Sequence, residues 1–265
     1  MNQNMHNSCD STTGYQLCHS GIRTLVWNVR GAGSKEFLNT LKEHMRMHKP
    51  QILALLKTHI SGLRADEVCN KIGFRGQYHI DVQGFQGGIW LLWDSDEVWL
   101  NLVQSHRQFV TMEVTRRGIR PWLFTAVYAS PIQQIREELW TELSIFAGVT
   151  SAPWMLAGDF NETRNLDERD HGGRDMARRC AIFNNWIENN GLLDFGYSGP
   201  RSTWSRGNRY DTKKNSRLVR ALCNASWRTQ FHEGAVRHLV WNSSDQCPIL
   251  ISTNGFTPIQ NTTNC

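Results

Sequence analysis

The stretch Trp154-Met155-Leu156-Ala157-Gly158-Asp159-Phe160-Asn161-Glu162 constrains this chain more than any other. Its first four residues follow Pro153 and form an apolar run, the pattern of a short buried strand. Asp159 and Asn161, two residues apart at the end of that strand, point to the same side. Gly158 lets another backbone or a ligand come close. A carboxylate suits a hard cation, and a carboxamide offers hydrogen bonds to a phosphate. The same residues also suit a plain turn, so their meaning depends on what the rest of the chain sets beside them.

Several other apolar runs end in polar residues. Thr24–Asn28 reads as a strand stopping at a turn, Val29-Arg30-Gly31-Ala32-Gly33. Ser34 caps a helix carrying Phe37, Leu38, Leu41 and Met45, which Lys49-Pro50 ends. Ile52–Leu56 is a continuous apolar run, a buried strand followed by Lys57. A short helix is expected over Arg64–Ile72. A run of β segments follows at Tyr78–Val82, Gly88–Trp93, Val98–Val103, Phe109–Val114 and Trp122–Tyr128. Ile135, Leu139, Leu143 and Phe146 form one helical face, and Met176, Cys180, Phe183 and Ile187 another. Between them, residues 163–175 read as a charged loop. Short strands are expected near Thr203–Ser205, Arg217–Ala221 and Pro248–Ser252. Helices flanking two clusters of strands make an α/β sandwich, two sheets face to face with helices outside. Residues 1–21 read as a disordered leader, 22–253 as one domain and 254–265 as a tail.

Composition narrows the class. The chain has 265 residues, 40% of them hydrophobic, enough to bury a sizeable core. Its formal charge of +5 suits a nucleic-acid partner. The seven cysteines are scattered, without a paired C-x-x-C spacing. They read as free thiols in a reducing compartment, against a disulfide-linked partner and against a zinc site. No secretory signal is seen, and no apolar run approaches the roughly 18 residues of a membrane span. Together these predict an intracellular protein of nucleus or cytosol, with no membrane partner.

Asn28, Lys57, Tyr128, Asp159, Asn161 and Asp245 all fall at or just past the ends of strand-like runs, where α/β proteins place shared crevices. The segment 201–228 is basic: Arg201, Arg206, Arg209, Lys213, Lys214, Arg217, Arg220 and Arg228 stand against Asp211 alone. Trp204, Tyr210 and Trp227 are interleaved with them. Phosphate contact and base stacking need that mixture, and Arg201, Trp204, Arg206, Arg209, Lys213 and Lys214 are the nucleic-acid-binding candidates. A solvated charged face over core aromatics is the other reading. His44 and His48, four apart on a helix, read as a surface helix face rather than a metal site.

Four motifs occur in order: Trp27-Asn28-Val29-Arg30-Gly31, Val127-Tyr128-Ala129-Ser130-Pro131, Gly158-Asp159-Phe160-Asn161-Glu162 and Ser244-Asp245. With them the chain resembles the endonuclease/exonuclease/phosphatase superfamily. More narrowly it resembles the apurinic-endonuclease-like endonuclease domain of plant non-LTR retrotransposons. Gly87-Gly88-Ile89-Trp90-Leu91-Leu92-Trp93, Ser198–Ser205 and His238-Leu239 support the narrower likeness. The resemblance implies a four-layer α/β sandwich of deoxyribonuclease-I type, with two packed mixed sheets flanked by helices. It implies phosphodiester hydrolysis, of DNA, with Mg²⁺ or Mn²⁺. In the family the counterparts of Asn28 and Asp245 serve the metal, those of Asp159 and Asn161 orient the nucleophile and phosphate, and that of Tyr128 contacts the phosphate. Three positions depart from the pattern. Lys57 stands where the family has a metal-binding Glu, Gln246 where it has the catalytic His, and Val219 where it has the Asp that orients that His. Gln cannot exchange a proton near neutral pH, and losing a general acid or base costs roughly 10²–10⁴ in rate. Metal binding is therefore expected to be impaired, and with it cleavage. The alternatives are a non-catalytic nucleic-acid-binding module and a phosphodiesterase working by an altered route.

Overall fold

The computed structural model describes residues 21–81, 87–170, 173–207, 213–240 and 245–256. The leader before residue 21, the tail beyond 256, and Arg209, Tyr210 and Ser244 lie outside these.

Two parallel strand pairs organise the structure, each joined by a helix. Strand β1 (Arg23–Asn28) passes through helix α1 (Lys35–His48) into β2 (Ile52–Leu56), pairing Asn28 with Leu56. Strand β7 (Ile119–Tyr128) passes through α3 (Gln133–Val149) into β8 (Trp154–Asp159), pairing Tyr128 with Asp159. A parallel pair needs such a crossover. Antiparallel neighbours complete each sheet. Around the first pair lie β13 (Ala235–His238), β14 (Ile249–Ser252), β4 (Ile89–Trp93) and β3 (Gly76–Ile80), in the order β13-β14-β1-β2-β4-β3. Around the second lie β5 (Trp99–His106), β6 (Phe109–Arg116), β12 (Val219–Asn224) and β9 (Leu192–Asp194), in the order β5-β6-β7-β8-β12-β9. Helices α2 (Leu63–Ile72), α4 (Met176–Asn189) and α5 (Ala225–Gln230) and a two-stranded hairpin, β10 (Trp204–Arg206) with β11 (Lys214–Ser216), make up the remaining elements.

Strand alternation sorts the side chains into layers. Val26, Ala54, Leu56, Phe124, Ala126, Met155 and Ala157 face inward and form the core between the sheets. Leu25, Trp27, Leu53 and Leu55 face outward against Phe37, Leu41 and Val68 of α1 and α2. Leu123, Trp154 and Leu156 face the other way, against Leu139, Leu143 and Phe183 of α3 and α4. Burying one Leu or Phe contributes about 1.5–3 kcal/mol, so each layer is held by many such contacts. Helix, sheet, sheet, helix is the expected four-layer sandwich.

Some expectations change. His44 is buried, not on a surface face; it sits edge-on to Trp27. The stripe of α3 turns by a residue, burying Arg136 with Leu139 and Leu143. The charged loop contains a short 3₁₀ turn at Leu166–Glu168. Gly158 admits a neighbouring strand: a Cβ there would lie 1.9 Å from the Val127 carbonyl oxygen. No described helix is long and apolar enough to cross a membrane. Cys69, Cys180, Cys223 and Cys247 are free and buried.

Candidate active site

The same alternation that builds the inner core carries it to its polar end. Asn28 follows Val26, Tyr128 follows Ala126, and Asp159 follows Ala157, each two residues further along an inward-facing row. All three stand at the C-terminal ends of the parallel strands. There the sheets meet: Asn28 Nδ2 donates to Asp159 Oδ2 at 2.5 Å. The other Asp159 oxygen accepts the Asn161 backbone N–H at 2.9 Å. Burial raises the pKa of Asp159, against the opposing pull of the Asn161 and Asn28 hydrogen bonds. Burial also raises that of Tyr128, with the Asp159 charge acting the same way, so its phenol stays protonated as a donor.

Asn161 is locked into place. Its φ is +50°, a region that costs an ordinary residue free energy and tends to mark sites of function. Its Nδ2 donates to the Ala129 carbonyl at 2.6 Å. Arg136 reaches from α3 to the Glu162 carboxylate and the Ser130 carbonyl, and Arg179 reaches Glu162 and the Asn161 carbonyl. Arg136 was not singled out in sequence, although an Arg three and seven residues before Leu139 and Leu143 lies on their helical face.

Lys57 lies just past β2, also with positive φ at +58°. Its backbone N–H donates to the Gly88 carbonyl at 2.8 Å, and its own carbonyl accepts from the Gly31 N–H. The ammonium is half-buried. Burial lowers its pKa, the Arg30 charge lowers it further, and Asp159 and Asp245 oppose both. Asp245 is ion-paired with Arg30, a residue whose part was not foreseen.

Val219 is the register partner of Asp159 and is fully buried. Thr203 connects it to Cys247, the neighbour of Gln246: the Thr203 hydroxyl accepts the Val219 N–H at 3.0 Å, and its carbonyl accepts the Cys247 N–H at 2.8 Å. Trp27 Nε1 also donates to the Gln246 carbonyl at 3.1 Å. Asn28, Lys57, Tyr128, Asp159, Asn161, Val219, Asp245 and Gln246, scattered through the sequence, thus gather at one end of the two sheets.

A divalent ion fits this group poorly. Asn28 Oδ1 is buried without a hydrogen-bond partner and is a suitable neutral ligand. Mg²⁺ also needs a carboxylate. Both Asp159 oxygens already accept N–H donors, and Asp245 faces Arg30. An ammonium, Lys57, stands within electrostatic reach of both acids.

The basic segment divides in two. The hairpin β10–β11 is fastened to the site, since Trp204 bridges to Gln246 and the Ser205 N–H donates to the Asp245 carbonyl at 3.0 Å. It carries Arg206 and Lys214, both exposed, as are Arg201 and Lys213 nearby; Trp204 is half-buried. Arg217 and Arg220 are not on that surface. They are buried, paired with Glu168 and Asp194. Trp227 is fully buried in the core, and Arg228 bonds the Gly234 carbonyl.

The sequence profile of the Endonuclease/Exonuclease/phosphatase family matches residues 25–233. The chain belongs to that family. Among solved structures, it is similar to an AP endonuclease of Leishmania major, LMAP, with a TM-score of 0.67 and 15% identity over 88% of this chain and 87% of that one. The endonuclease domain of TRAS1, a telomere-specific non-LTR retrotransposon, gives 0.64 and 16% over 87% and 97%. A 3′-5′ exonuclease of Neisseria meningitidis, NExo, gives 0.61 and 19% over 87% and 98%. These likenesses are of fold. No curated protein matches the chain in sequence.

Proposed function

We propose that this chain is an endonuclease-type domain of retrotransposon origin that holds a phosphodiester backbone, that of DNA, and no longer cleaves it at the rate of its family. The observation that carries the proposal is Lys57. Its ammonium stands at a strand end beside Asp159 and Asp245, where the resemblance calls for a metal-binding carboxylate. An ammonium attracts a phosphate and repels a divalent ion. Asn161 and the Tyr128 phenol supply hydrogen bonds to the same phosphate. The proton-transfer arm is missing too, with Val219 and Gln246 standing where the resemblance calls for an Asp and a His, and Thr203 bonding Val219 and the neighbouring Cys247.

The test is nicking of supercoiled plasmid with Mg²⁺ or Mn²⁺, comparing the natural chain with the triple variant Lys57→Glu, Val219→Asp, Gln246→His. Nicking by the triple variant alone is the expected result. Equal nicking by both would sink the proposal. A second reading is favoured by the raised pKa of Asp159: Lys57 neutralises the phosphate while Asp159 orients water. It requires residual nicking by the natural chain that disappears in Lys57→Ala.

A further inference from the structure

At the other end of β1 lies a second pocket of different character. Five steps of about 3.3 Å each separate Arg23 from Asn28, so it is about 17 Å from the crevice along the strand. It opens beside the C-terminus of α1, with a cavity of about 420 Å³ lined by Arg23, His48, Arg237, Ser252 and Phe256 among others. Three lining residues are basic and none is acidic.

Among the described residues nine arginines are ion-paired with carboxylates: Arg30, Arg75, Arg107, Arg116, Arg136, Arg164, Arg179, Arg217 and Arg220. Neither Arg23 nor Arg237 has a carboxylate partner among the described residues. Arg23 donates to the His48 carbonyl at 2.9 Å, which turns its guanidinium toward the end of α1. Arg237 lies over the Phe256 ring, 4.3 Å from its centre. A ring face held against a guanidinium fixes its plane and leaves its N–H edge free to fork onto an anion. His48 closes the group, and the like charges of Arg237 and Arg23, after burial, disfavour its protonation. Cations converging without a counter-ion leave repulsion that an anion relieves.

We infer that this pocket binds a phosphate group, held by the Arg23 and Arg237 guanidiniums with His48 at its wall. Planar forks match phosphate oxygens, and the cavity has room for a phosphate ester larger than the free ion. The site is separate from the crevice and does not depend on the function proposed there.

The experiment is NMR titration of the full chain with sodium pyrophosphate, following the His48 ring resonances, which the His48→Gln variant assigns. Saturable shifts of those resonances are expected. In Arg237→Gln, affinity should fall about tenfold, the cost of one charge-assisted contact. Dispersed tryptophan indole signals in the same spectra verify that the variant folds. His48 resonances that stay fixed at saturating pyrophosphate would overturn the inference, as would an unchanged response in folded Arg237→Gln. A short DNA duplex added to the pyrophosphate complex separates two sources of the ligand. Reversal of the His48 shifts assigns the phosphate to nucleic acid, and their persistence assigns it to a free phosphate ester; each outcome supports the site.

Discussion

On the function proposed above, Lys57 makes the crevice a place for an anion instead of a cation, by charge alone. The neighbouring Asn28, Tyr128, Asp159 and Asn161 stay in position, and the buried contact between Asn28 and Asp159 is intact. Lys57→Ala should therefore weaken binding of duplex DNA about tenfold, a charge-assisted contact being worth about 1.5–3 kcal/mol. Binding by the natural chain should be indifferent to EDTA. Fluorescence anisotropy measures both, and a strong requirement for Mg²⁺ would contradict the role given to Lys57. Burial and Arg30 depress the Lys57 pKa, so its contribution should decline at a lower alkaline pH than an ordinary surface lysine would show. Much of this site was legible because Asn28, Tyr128 and Asp159 end apolar runs, and strand alternation turns them inward. Arg30 and Thr203 were not legible, because their roles come from residues more than a dozen positions away, Asp245 and Val219.

Short elements bring the second half of the chain to the crevice. Strands β9, β11 and β13 have three, three and four residues, and Leu-Leu-Asp, Lys-Asn-Ser and Ala-Val-Arg-His show neither a continuous apolar run nor a clear two-residue period, so they could not be read from sequence. Neighbours already in the sheets hold them: β9 pairs with the six-residue β12, and β13 with β14, which also pairs with β1. The hairpin β10–β11 should govern the salt dependence of DNA binding. Removing Arg206 and Lys214 together should flatten the plot of log affinity against log salt by nearly two, about 0.9 for each phosphate no longer neutralised; an unchanged slope would place DNA elsewhere. Strand β13 predicts a pH effect on stability. His238 Nδ1 donates to the Pro200 carbonyl at 2.7 Å, and Nε2 is buried without a hydrogen-bond partner. Burial pulls its pKa down to about 4, from 6.5, against the contrary effect of that hydrogen bond. The fold thus favours neutral imidazole. Its contribution is complete above pH 6.5 and is lost as pH falls from there toward 4. Between about pH 7 and pH 5 the natural chain should lose about 2 kcal/mol more than His238→Asn in urea titrations.

Over the whole molecule, the basic segment proved to be two things because burial, not composition, decides what an arginine does. Arg217 and Arg220 form a closed cluster with Glu168 and Asp194, with contacts of 2.7–2.9 Å. Burial pushes the Asp194 carboxyl up, but Arg220 and Arg217 outweigh it and hold it at about 2. The cluster ties the 3₁₀ turn, β9 and β12 together beneath the hairpin. Asp194→Asn leaves guanidiniums buried with half their counter-charge and should destabilise the fold by about 3 kcal/mol. Urea unfolding measures this, and a change below about 0.5 kcal/mol, the scale of an ordinary surface substitution, would show the cluster to be incidental. The pairing of β1 with β14 acts on the same scale. The Thr253 N–H donates to the Ile22 carbonyl at 3.1 Å, and the Thr253 hydroxyl accepts from the Ile22 N–H. Ile22 and Thr253 therefore lie side by side, at the end of β1 away from Asn28 and Asp159. A label attached near Ile22 or Thr253 would therefore report on the end of the sheets opposite the crevice, with the length of β1 between them.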